Sequence, residues 1–255
     1  MSAFAEMLAT PVPPESETVQ QMDNVTYHLS LLPEGAARDS DSITLRESRW
    51  LFASAGATGY RTWEAGLHLG QYLCSAPEVV RGKRVLELGT GTGYVSVLCA
   101  KFLGATRVVA SDGAHGVLSG LANTEFLNGL QGSEAFVPKE LPWGEGLAGE
   151  DGERRGGEEG VDVVLGSDVT YDTRAIPALI GTLGELFSRY PGVPVILCTA
   201  ERNIDTLNTL LEECRGAGMK VRWIDFPVPT REEQQGPFYD TSVPIHIVEI
   251  RRGGA

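Results

Sequence analysis

The stretch Val85-Leu86-Glu87-Leu88-Gly89-Thr90-Gly91-Thr92-Gly93 decides the fold of this chain. An apolar run holding one acid gives way at once to three alternating glycines, and an apolar, helix-like segment follows from Tyr94 to Phe102. That is the pattern of a strand ending in a tight turn, with a helix N-terminus aimed back over the strand's end. Glycine is needed where the backbone takes positive φ or must approach a ligand with no Cβ in the way. The turn therefore reads as a seat for a nucleotide-like ligand.

Beyond the turn, apolar strands and helical segments alternate. Val108 to Ala110 is a short buried strand ending at Ser111-Asp112, and His115 to Leu127 is helical. Glu134 to Leu141 reads as a strand, and Val161 to Leu165 as a fully apolar one ending at Gly166-Ser167-Asp168. Thr173 to Tyr190 is a helix and Val193 to Thr199 a strand. Ile204 to Ala217 is a helix with Leu207, Leu210, Leu211 and Cys214 on one face, stopped by Gly216-Ala217-Gly218. Lys220 to Asp225 and Ile245 to Arg251 are strands joined without a crossover helix, which favours an antiparallel pair. The expected fold is α/β: a seven-stranded Rossmann-like sheet, mostly parallel with a reversed terminal strand, helices on both faces, and ligands at the strands' carboxyl ends.

Before the turn, Trp63, Leu67, Leu69 and Leu73 suit a helix that Pro77 closes, and Ile43 to Phe52 has strand-like content. Residues 23–61 form a strand-and-turn extension to a main domain spanning 62–255. Residues 1–22, polar and broken by Pro11, Pro13 and Pro14, are expected to be disordered. Gly144 to Gly160 holds seven glycines and six acids against two arginines, and almost nothing apolar. Such a segment cannot offset its own ordering entropy and reads as a surface insertion.

Composition excludes several classes. The formal net charge of −13 argues against a nucleic-acid-binding surface, which needs a basic stripe. No apolar run reaches the roughly 18–20 residues of a membrane span, and the N-terminus shows no secretory signal. The four cysteines form no C-x-x-C pair and sit in apolar contexts, as reduced thiols of a cytoplasmic protein would. The four histidines are scattered without ligand spacing, so no metal site is expected.

The glycine spacing narrows the ligand. In the dinucleotide fingerprint G-x-G-x-x-G the last position would fall on Tyr94, and no G-K-[ST] is present, which excludes a P-loop. Asp112 ends the next strand, nineteen residues after Gly93, where an acid can accept hydrogen bonds from both ribose hydroxyls. Capping of the following helix would explain it equally well. The series E-x-G-x-G-x-G, Asp112 and seven strands with a reversed terminal pair resembles the class I S-adenosyl-L-methionine-dependent methyltransferases over roughly Thr62 to Arg251.

Three further stretches, Thr58-Gly59-Tyr60-Arg61-Thr62-Trp63-Glu64-Ala65, Leu141-Pro142-Trp143-Gly144 and Asp168-Val169-Thr170-Tyr171, resemble methyltransferase family 16. Its members are mostly protein-lysine methyltransferases, with D-x-x-Y after the fourth strand as their signature. Together with Thr199-Ala200-Glu201-Arg202-Asn203, the first of these stretches is similar to the lysine methyltransferases of translation elongation factor 2. That group carries a longer N-terminal region than the roughly 55 residues present here.

The resemblance implies a role for each matched residue. Glu87, Gly89, Thr90, Gly91, Gly93 and Asp112 would hold S-adenosylmethionine. An acid inside an apolar strand is costly without a partner, so Glu87 either holds the ligand's amino group or orders the turn. Trp63 would line the methionine end and Trp143 the adenine, with an ordinary core or helix-start role as the rival reading of each. Ser167 ends an apolar strand, so its backbone faces the ligand crevice. Asp168 and Tyr171 would hold a lysine ammonium and aim the amine along the axis of an in-line displacement. On spacing alone Asp168 could instead cap the helix near Thr173, and Tyr171 could simply pack. The implied partner is translation elongation factor 2. Another protein, a small-molecule amine, or a non-catalytic S-adenosylmethionine-binding module are the alternatives.

Overall fold

The computed structural model describes residues 22–32, 41–48, 58–146 and 160–253. The expectations for residues 1–21, for the end of the strand read to Phe52, and for most of the acidic insertion lie outside the described residues. The strands are β1 (Asp23–His28), β2 (Ser42–Glu47), β3 (Arg84–Leu88), β4 (Arg107–Asp112), β5 (Phe136–Glu140), β6 (Val163–Ser167), β7 (Val195–Ala200), β8 (Met219–Ile224) and β9 (Ile245–Arg252). The helices are α1 (Glu64–Ser75), α2 (Tyr94–Val97), α3 (His115–Asn128), α4 (Ile176–Arg189) and α5 (Ile204–Gly216).

Seven strands form one sheet in the order β5-β4-β3-β6-β7-β9-β8. All pairings from β5 to β7 are parallel, and β9 runs antiparallel to both neighbours. The expected fold holds, with one refinement: the reversed strand is last in the chain yet lies inside the sheet, between β7 and β8. From β3 the chain winds outward to β4 and β5, then returns to the other side of β3 as β6. The switch point therefore falls between β3 and β6, where ligand crevices form at carboxyl ends.

The period-2 alternation of strand side chains sorts the core into two layers. Val85, Val108, Ala110, Val163, Leu165, Ile196 and Cys198 face α1, α2 and the N-terminal strands. Leu86, Leu88, Val109, Val164, Val195 and Leu197 face α4 and α5. Glu87 shares the parity of Val85, so its carboxylate points into the first layer, toward the helix that follows the glycine turn. All four cysteines are buried and free.

The sequence reading missed β1, where Val25 and Tyr27 alternate with polar residues over a short stretch. Burial alternates between half-buried and exposed along it. It pairs antiparallel with β2, Val25 opposite Leu45, in a separate two-stranded sheet. Ile43 and Leu45 of β2 are fully buried, which contributes about 1.5–3 kcal/mol each. Asn128, at the end of α3, fixes the hairpin: its Nδ2 donates to Thr44 O and its Oδ1 accepts from Thr44 N. A second tie runs through Glu47, which accepts from Tyr27 and from the hydroxyl and amide of Thr62. Thr62 in turn lies 2.6 Å from the Thr92 hydroxyl in the glycine turn.

Candidate active site

A cleft of about 520 Å³ opens over the carboxyl ends of β3, β4, β5 and β6. It is lined by the whole predicted set except Gly93: Trp63, Glu87, Gly89, Thr90, Gly91, Asp112, Trp143, Ser167, Asp168 and Tyr171. Gly93 takes φ 89° as the N-cap of α2, and a Cβ there would press on Leu121 and Thr124. Its role is to turn the chain under the cleft.

Gly89 and Gly91 also have positive φ, 65° and 53°. A Cβ on Gly89 would meet Val169 at 2.8 Å and Trp143 at 3.6 Å, within the cleft wall. Thr90 and Ser96 both donate their hydroxyls to Oε2 of Glu87. Glu87 is 1% exposed, and burial pushes its carboxyl up to about 7 against the pull of those two donors. The acid therefore orders the turn and still borders the cleft.

Asp112 accepts from two backbone amides and lines the cleft. Its Oδ1 accepts from Ala114 N at 2.9 Å, bracing the approach to α3, and its Oδ2 accepts from Gly91 N at 3.2 Å across the cleft floor. The formal N-cap of α3 is Ala114, without a side-chain cap bond. Burial raises the Asp112 carboxyl above its ordinary range. Trp143 is half-buried and packs on the second core layer while lining the cleft, so core and site are one position.

The opposite wall is built differently. Asp168 has φ 52°, a left-handed conformation rare for a residue with a Cβ. It caps nothing: α4 starts at Ile176, after a turn in which Asp172 accepts from Arg174 N. Instead, its Oδ1 accepts from Ala200 N at 2.9 Å and its Oδ2 from Arg202 at 3.2 Å. Burial raises its carboxyl while the Ala200 amide and Arg202 oppose that rise. Arg202 also pairs with Glu64 and stands 5.0 Å from the centroid of the Trp63 ring. Trp63, at the N-cap of α1, donates its indole N–H to Thr58 O. Ser167 lies against Gly66 of α1, where a Cβ would come within 3.3 Å of its hydroxyl. Tyr171 stands at the rim, 56% exposed.

Individual residue reasoning passed over Thr62, Thr92, Arg61, Glu64 and Arg202. Four of the five fall inside stretches quoted for their resemblance, so the signal was present without a role attached. No histidine lines the cleft, and no cluster of potential metal ligands occurs among the described residues.

The chemistry of the cleft fits S-adenosylmethionine. Its glycine-turn side presents two carboxylates, Glu87 and Asp112, with no basic side chain paired to either among the described residues. Such a surface accepts hydroxyls and attracts a cation. It would oppose the pyrophosphate of a dinucleotide.

Solved structures share the fold. A SAM-dependent methyltransferase from Aquifex aeolicus superposes with a TM-score of 0.53 at 12% identity, over 72% of this chain and 90% of that one. Precorrin-6y C5,15-methyltransferase from Geobacter metallireducens gives 0.52 at 14% identity, over 72% and 87%. The fold is thus that of the class I methyltransferases. A profile described as Lysine methyltransferase matches residues 39–213, and the chain belongs to that family.

Among curated relatives, protein-lysine N-methyltransferase EFM3 of Chaetomium thermophilum is 51% identical over 99% of this chain and 74% of its own length. Protein-lysine N-methyltransferase EEF2KMT of Homo sapiens is 31% identical over 86% of this chain, and EFM3 of Saccharomyces cerevisiae 30% over 70%. The chain spans 66% and 55% of those two proteins.

Proposed function

We propose that this protein is a protein-lysine N-methyltransferase whose acceptor is a lysine of translation elongation factor 2. The observation that carries the reading is the meeting, in one cleft, of the glycine turn with Asp168 and Tyr171 on the opposite wall. The stretches Thr58–Ala65 and Thr199–Asn203 support the choice of acceptor, and the 51% identity to a protein-lysine methyltransferase supports a lysine as the methylated residue. We place the protein in the cytoplasm, on the strength of four buried free thiols and no C-x-x-C pair. No helix among the described residues is long and apolar enough to cross a membrane.

Bound S-adenosylmethionine supplies an electrophilic methyl group on a sulfonium. Glu87, Asp112 and the glycine turn hold its polar ends, and Trp63 and Trp143 supply flat apolar walls. On the acceptor side, a lysine side chain enters past Tyr171 as an ammonium. Removal from water and a neighbouring positive charge both lower its pKa, and it releases its proton to solvent at the open rim. Asp168 and the Tyr171 hydroxyl then orient the neutral amine for in-line attack.

Mass spectrometry of purified elongation factor 2, after incubation with the enzyme and S-adenosylmethionine, tests the reading. One lysine gaining methyl groups is the expected result. No transfer by a preparation that binds S-adenosylhomocysteine would overturn the acceptor.

A further inference from the structure

Asp168 does not stand free in the cleft. Both of its oxygens are engaged from the side of β7, one by Ala200 N and the other by Arg202, and its own N–H donates to Cys198 O at 2.8 Å. A left-handed backbone at a residue with a Cβ costs about 1–2 kcal/mol and persists where the surroundings over-determine it. Arg202 is itself held at several points. It bridges Asp168 and Glu64, lies over Trp63, and its N–H donates to Ala200 O. Arg61 joins the same group, 3.3 Å from Glu64 and 5.2 Å from the Trp63 centroid. The end of β7, the start of α1 and the loop after β6 are thereby clasped around one guanidinium.

We propose that Arg202 is a positioning residue for methyl transfer. It keeps the Asp168 carboxylate ionised and aimed at the acceptor while tying that wall of the cleft to Trp63. The kinetic part of this proposal rests on the lysine-transfer reading above; the electrostatic part does not. The groups facing Asp168 are Arg202 from the turn after β7, Glu64 from α1 and the buried thiol of Cys198 from β7, with Tyr171 on its own loop. Without Arg202, burial and Glu64 still disfavour the negative charge, and the Ala200 amide is left to oppose them. Planar bidentate geometry matters as well, because a lysine reaches two carboxylates only as a point charge.

The test uses the full chain labelled with carboxyl-¹³C aspartate, with Asp168→Asn assigning the signal. In Arg202→Met the Asp168 titration midpoint should rise by about one pH unit or more. The acid limb of kcat should move with it. At the optimum, kcat should fall roughly 10–100-fold, while KM for the acceptor protein and the affinity for S-adenosylhomocysteine change little. Arg202→Lys should restore the midpoint and only part of kcat. An unmoved midpoint in Arg202→Met, or a loss of S-adenosylhomocysteine affinity parallel to kcat, would overturn the proposal. Should Arg202→Met not fold, Arg202→Lys decides by itself: reduced kcat at an unchanged midpoint supports the role, and wild-type kcat defeats it. If the wild type leaves elongation factor 2 unmodified, the acceptor assignment fails, and the carboxyl titration still decides the role of Arg202.

Discussion

The two walls of the cleft treat their carboxylates in opposite ways. On the glycine-turn side, Glu87 and Asp112 accept only from hydroxyls and backbone amides. On the opposite side, Asp168 is given a guanidinium from the protein's own chain. A carboxylate buried without a counter-charge waits for one from its ligand, and one already paired is held ready whatever the ligand does. The difference teaches which wall is built to bind a cation tightly and which is built to hold a geometry.

Replacing Asp168 should have the largest effect. In Asp168→Ala, transfer should fall roughly a hundredfold or more while affinity for S-adenosylhomocysteine stays within a few-fold, measured by kcat and by calorimetry. Parallel losses would erase the contrast between the walls. Asp112→Ala should do the reverse, weakening S-adenosylhomocysteine by roughly 10–100-fold with a smaller change in kcat at saturation.

The third effect is a pH dependence. With Glu87 pushed up to about 7, the free protein carries a proton there at mildly acid pH. A cationic ligand favours the ionised form, so S-adenosylmethionine affinity should rise as pH approaches 7, by at most about tenfold per pH unit, and level off above it. Stability of the free protein has the opposite sign. Between the ordinary value of 4.5 and about 7 the native state keeps a proton that the unfolded chain has released, so stability falls as pH rises through that window. Glu87→Gln should flatten both curves, followed by calorimetry and by thermal melts.

The smallest effect lies farthest from the chemistry. Glu47→Ala removes the acceptor shared by Tyr27 and Thr62 and should cost about 2–3 kcal/mol. The melting temperature should drop by roughly 4–10 °C. Because Thr62 touches Thr92, a modest loss of S-adenosylhomocysteine affinity should accompany it. A stability loss with unchanged affinity would confine the hairpin to scaffolding.

The parts of the molecule legible in its sequence share a physical cause. Apolar strands β3, β6 and β7 stand out because both faces are buried, and the glycine turn because positive φ excludes other residues. Of the cleft residues foreseen, Glu87 and Ser167 lie on β3 and β6, and Gly89, Thr90, Gly91, Asp168 and Tyr171 follow those two strands directly. What stayed hidden depends on pairs distant in sequence. Arg202 lies thirty-four positions from Asp168, and Glu64 farther still. Nothing in the order of residues says that one guanidinium serves both acids. The hairpin strand β1 was passed over for a different reason: its apolar alternation, Val25 and Tyr27 among polar residues, is short, and the hairpin is also held by Asn128 and Glu47.

The reversed strand β9 sets a schedule. Pro244, just before it, accepts the N–H of Glu201, and its first residue, Ile245, lies opposite Ala200 at the end of β7. The turn that carries Arg202 is thus seated by residues made forty positions later. While the chain is being synthesised, the turn that carries Arg202 cannot take its final seat until β9 has emerged.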